Sequence, residues 1–99
     1  MTELFQQISA LIEDSERDLD RIERTLTDGY AHALTLEAER WRLEKRLAQV
    51  AQELPAGDLE GKGAEMTSLS RRLDGNAAEL SNLRGRLGEL RRYADEVRV

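Results

Sequence analysis

The stretch Met66–Val97, MTSLSRRLDGNAAELSNLRGRLGELRRYADEV, decides how this chain folds. Within it Met66, Leu69, Leu73, Asn76, Leu80, Leu83, Leu87, Leu90, Ala94 and Val97 recur every three or four positions. An α-helix turns once in about 3.6 residues, so this spacing holds them all on one stripe. Only Asn76 among them is polar. A thin apolar stripe on a charged helix is a heptad seam, and a seam is stable only when another helix covers it.

The covering stripe lies upstream. Leu19, Ile22, Leu26, Gly29, Ala33, Leu36, Arg40, Leu43, Leu47, Val50 and Leu54 follow the same repeat. With Thr2 as a plausible N-cap, the pattern predicts a helix over about residues 2–53. Before Leu19 the apolar positions are Leu4, Ile8 and Leu11, with Ser15 in the next slot. The steps Leu11 to Ser15 and Ser15 to Leu19 are both four, so one extra residue interrupts the heptad and unwinds any supercoil locally. Between the two seams stands Leu54-Pro55-Ala56-Gly57-Asp58. Proline cannot continue a helix and glycine permits a reversal, which sets a turn over about 54–60. Gly61 and Gly63 soften the start of a second helix over about 61–98. The expected fold is all-α: one domain over 1–99, an antiparallel two-helix coiled-coil hairpin assembling into a helical bundle as an oligomer.

A pivot near Asp58 makes facing residues sum to about 116. Leu47 then meets Leu69, Leu43 meets Leu73, and Gly29 meets Leu87. The two polar intrusions, Arg40 and Asn76, fall in one layer, which is a known way to fix register. The same register brings Arg46 near Arg72, an unfavourable neighbour. At about 1.5 Å per residue the first helix reaches about 78 Å and the second about 55 Å, so residues 1–16 are expected to lack a partner within the chain.

Composition agrees with paired helices. Charged residues make up 35% of the chain and aromatics 4%, too little bulk for a compact globule and enough for a seam. Residues 1–29 carry eight acids and three bases, while residues 66–99 carry five acids and seven arginines. An acidic first arm and a basic last arm attract each other when the chain folds back. There is no cysteine, hence no disulfide, thiolate metal site or cysteine nucleophile. No apolar run approaches the roughly 20 residues that span a bilayer, and a cytoplasmic setting is expected.

Chemistry finds little purchase. His32 is the only histidine and has no cysteine or second histidine to join it, so it reads as a surface residue beside Ala33. Gly57, Gly61 and Gly63 lack the lysine–hydroxyl context of a phosphate-binding loop. No catalytic residue, metal, cofactor or small-molecule substrate is expected. The arginines of the last helix interleave with acids, which argues against nucleic acid as a partner.

What remains are surfaces. Leu4, Phe5, Ile8, Leu11 and Ile12 form an amphipathic N-terminal end without a partner, and large apolar groups do not favour staying wet. On the back of the first helix Leu34, Ala38, Trp41 and Ala48 form a second stripe, interrupted by Lys45. Tryptophan is enriched at the energetic centres of interfaces. On the back of the second helix Gly85 and Gly88, in line with Ala78 and Ser81, leave backbone bare for a close neighbour. The functional expectation is a structural or adaptor protein that self-associates, preferably as a homodimer. The alternative is a small binding regulator, like an export chaperone, that captures a client protein with its N-terminal segment.

Overall fold

The computed structural model describes residues 2–13, 19–57 and 59–98, and all of them but Gly57 are helical. Helix α1 covers Thr2–Glu13, α2 covers Leu19–Glu53 and α3 covers Leu59–Arg98, with a short 3-10 turn at Leu54–Ala56. The all-helical expectation holds. Ser15, the interruption of the heptad, lies outside the described residues, as does Asp58. Helix α3 starts at Leu59, two residues earlier than the glycines suggest, and takes Gly61 and Gly63 into its first turns.

The chain divides into two compact units, one of Met1–Leu34 with Leu80–Val99, the other of Thr35–Glu79. Among the described residues the first contains α1 and one part each of α2 and α3; the second contains the remainder of α2 and α3 and the turn between them.

The two-helix unit is an antiparallel hairpin. Asn76 meets Leu36, Glu65 meets Arg46 and Lys62 meets Glu53, so the α3 partner falls in number as the α2 position rises. Leu43, Val50 and Leu69 form its core, with Leu47, Met66 and Leu73 partly buried against them. These six contain the pairs Leu43/Leu73, Leu47/Leu69 and Val50/Met66, which the 116 register places in layers. At the turn, Pro55 sits at the start of the 3-10 segment, where its missing N–H costs nothing. Gly57 has φ 132° and ψ −174°, a conformation that only glycine adopts without strain. The Lys62 ammonium donates to the Glu53 carbonyl at 2.8 Å, so a cation satisfies the end of α2.

The expected Arg40–Asn76 layer is not formed. Arg40 is exposed and pairs with Glu44 one turn along α2, at 2.9 Å. Asn76 is buried alone, and its Nδ2 donates to the backbone carbonyl of Leu36 at 2.9 Å. A guanidinium on a long stem leaves an apolar layer for water, whereas the short amide cannot. Arg46, also on the flank of the seam, pairs with Glu65 of α3 at 2.7 Å. The hydrogen bond and the charge of Glu65 hold the Arg46 guanidinium above its ordinary value.

The three-helix unit corrects the reading of the N-terminal end. Ile8 is 0% exposed and Leu11 only 2%, although residues 1–16 were expected to have no partner within the chain. Helix α3 ends at Arg98, opposite residue 18 in the 116 register, so a straight continuation of α2 would find nothing to pack on. Burial of Ile8 and Leu11 therefore requires α1 to lie back against its own unit. Ile22, Leu83, Leu87 and Leu90 are fully covered there, and Thr25, outside the heptad seam of α2, is buried as well. A third helix widens the face that α2 must bury. At Gly29 the chain meets α3 closely: a Cβ at this position would run into the Cδ2 of Leu87. Gly29 and Leu87 sum to 116, the expected register.

Candidate interaction surface

Trp41 stands on α2 in the two-helix unit, two residues before Leu43. Two helical steps turn about 200°, so Trp41 points away from the face that carries Leu43, Leu47 and Val50. It is 62% exposed. Lys45, one turn on, places its Nζ 5.0 Å from the ring centroid, a cation–π contact that covers one side of the indole. Ala38 and Ala48, one turn before and two turns after Trp41 on α2, are exposed, and so is the Arg40–Glu44 pair. The result is a flat aromatic group set among small side chains, with charge at its rim.

The three-helix unit has an apolar surface of its own. Leu34 is 66% exposed, and Tyr30, one turn before it on α2, is 44% exposed. Sequence reading missed Tyr30; its i,i+4 spacing to Leu34 is the signal that marks it. In the two-helix unit Leu59, at the start of α3, is exposed as well and was equally unmarked. Gly85 is exposed and Gly88 half-buried, and a Cβ built at either meets nothing within 4 Å. Among the described residues neither glycine is used for close packing.

Of the N-terminal set, Ile8 and Leu11 are core residues rather than surface, and Leu4 and Phe5 are half-buried beside them. The side chain of Ile12 lies outside the described residues. Of the expected surface residues, Leu34, Trp41 and Gly85 are the ones that the structure leaves open.

Among the described residues no group of three or more His, Asp or Glu is placed to hold a metal ion. Two shallow hollows, one beside Asp20, Arg24 and Thr27 and one beside Ser81, Asn82 and Arg86, are polar and open to solvent. His32 departs from a plain surface histidine: it is half-buried, and its Nε2 is buried without a hydrogen-bond partner among the described residues. Among the described residues no helix is long and apolar enough to cross a membrane.

Comparison with known proteins brings no match: no family model fits the sequence, and no curated protein or solved structure is significantly similar to it. The class of the protein therefore rests on its own fold and surfaces. It is an all-helical chain, with a hairpin in one unit and three packed helical segments in the other.

Proposed function

We propose that this chain is a non-enzymatic coiled-coil adaptor of the cytoplasm, acting through protein–protein contacts and self-association, with a homodimer as its working form and Trp41 at the centre of a contact surface. One observation carries the reading: Trp41 is 62% exposed on a unit whose core closes without it. A tryptophan this exposed leaves a large rigid apolar face in water, and burial of such faces supplies much of the energy of helical interfaces. The alanines at 38 and 48 let a partner backbone approach the ring, and the surrounding charges form the polar rim that interfaces commonly have. Capture of a client by a free N-terminal segment has less support, because Ile8 and Leu11 are already engaged in the core.

The test is the solution mass by light scattering across a wide concentration range, for the natural chain and for Trp41→Asp. The natural chain is expected to associate, and the variant to fall to monomer mass with its helicity intact. Equal masses for both chains at every concentration would refute Trp41 as the contact centre.

A further inference from the structure

We propose that the Trp41 face of the two-helix unit receives an acidic amphipathic helix of a partner protein, an apolar side chain of that helix covering the indole and its carboxylates meeting Lys45 and Arg42. The inference rests on Trp41 as a contact centre but not on self-association.

The charge around the ring leads to it. Residues 40–48, Arg-Trp-Arg-Leu-Glu-Lys-Arg-Leu-Ala, hold four bases and one acid, a net +3 in a chain whose net charge is −5. Two of the four cations are paired, Arg40 with Glu44 along α2 and Arg46 with Glu65 of α3. The other two, Arg42 and Lys45, are exposed and form no ion pair among the described residues. What Lys45 does touch is the face of the indole, its Nζ lying 5.0 Å from the ring centroid.

Helical geometry sorts these charges into two flanks. At about 100° per residue, Lys45 and then Arg42 fall on one side of Trp41, and Glu37 and Glu44 fall on the other. Glu44 is matched by Arg40, and Glu37 is engaged within the chain. Unmatched positive charge therefore lies along one edge of the ring only.

That one-sidedness selects the partner. A run of phosphates or an anionic bilayer would press negative charge on both flanks, Glu37 and Glu44 included. A bilayer also rewards a broad apolar face, whereas Trp41 has only Ala38 and Ala48 in line with it. A helix with an apolar stripe and an acidic edge meets both features of the site. Its stripe covers a single large aromatic anchor, the usual economy of a helical contact. Its carboxylates fix orientation and partner choice by meeting Lys45 and Arg42.

The experiment titrates the full chain with two synthetic peptides that lack tryptophan. Each is an amphipathic helix with a leucine stripe, edged by glutamate in one and by lysine in the other. Trp41 is the only tryptophan, so its fluorescence reports on its own surroundings. The glutamate peptide is expected to shift that emission to the blue with saturation, and the lysine peptide to bind about tenfold more weakly or worse. Arg42→Glu combined with Lys45→Glu is expected to invert the preference with helicity retained, since both side chains are exposed. Equal binding of the two peptides, no shift with either, or a double variant that still prefers glutamate would each overturn the proposal. Phosphatidylglycerol vesicles that shift the emission where the glutamate peptide does not would assign the face to a membrane and overturn it as well. The contact-centre reading fails separately, if the masses of the natural and Trp41→Asp chains agree whatever the peptides do. Self-association lost in Trp41→Asp, with no peptide preference in the natural chain, leaves that reading standing and refutes the acidic partner.

Discussion

The two units are made from the same pair of helices, yet they close their cores to different depths. In the three-helix unit Ile22, Leu83, Leu87 and Leu90 are fully buried, whereas in the two-helix unit full burial falls on Val50, and Leu47, Met66 and Leu73 remain partly open. The residue types at these heptad positions are alike. What differs is the number of neighbours: two helices can bury only the strip between them, and a third covers the flanks of that strip. A third helix thus adds to the number of fully buried positions, although two helices alone suffice to cover Val50.

The largest expected effect tests that difference directly. Leu11→Ala removes a side chain that is almost fully buried among three helices, and a loss of about 2–5 kcal/mol is expected for such a site. Leu47→Ala removes a half-buried side chain from the two-helix unit, where solvent already reaches part of it, so a loss of about 1–2 kcal/mol is expected. Urea unfolding supplies the overall change, and amide exchange read residue by residue assigns it to a unit. Equal losses at the two positions would show that the third helix adds no burial energy.

A smaller effect of opposite sign is expected at Asn76. Its Oδ1 is buried without a hydrogen-bond partner among the described residues, and a polar atom left so costs about 1–3 kcal/mol. The Nδ2 bond to the Leu36 carbonyl returns part of that cost, though a helical carbonyl also has its own backbone donor. Asn76→Leu is therefore expected to raise the stability of the two-helix unit by about 1–2 kcal/mol. It should also broaden the register, since a lone buried amide fixes which layers face each other. Thermal unfolding gives the stability, and the linewidths of amide signals in residues 35–79 show whether the register has loosened. A lower melting temperature would mean that the Leu36 bond outweighs the orphaned oxygen.

Most of the helical pairing could be read from the sequence because seam residues carry it one by one. The sum of 116 brings Gly29 to Leu87 and places Leu43, Leu47, Leu69 and Leu73 in a common core. Trp41 was legible for the same reason, since its offset from the seam puts it on the outside of α2. The placement of α1 was not legible. Leu4, Ile8 and Leu11 have the same spacing whether their helix runs on or turns back, and no glycine or proline marks a bend. Arg40 failed differently: counting it as a seam residue ignores the length of its stem, which lets the guanidinium reach Glu44. Thr25 was missed because a heptad describes a strip facing one helix, and α2 in that unit faces more than one.

The smallest effects come from two glycines that both stand inside helices and answer to opposite rules. Alanine favours a helix over glycine by about 1 kcal/mol wherever the added methyl has room. At Gly85 a Cβ meets nothing within 4 Å, so Gly85→Ala is expected to stabilise the protein by about 0.5–1 kcal/mol. At Gly29 the same methyl collides with the side chain of Leu87, which is itself 1% exposed and has nowhere to turn. Overpacking of a core costs about 1–3 kcal/mol, which exceeds the helical gain, so Gly29→Ala is expected to destabilise by about 1 kcal/mol net. Midpoints of urea unfolding for the two variants should then move in opposite directions from that of the natural chain. If Gly29→Ala stabilised as Gly85→Ala does, α2 and α3 would have room to part at this layer, and the tight closure of the three-helix unit would not depend on their contact there.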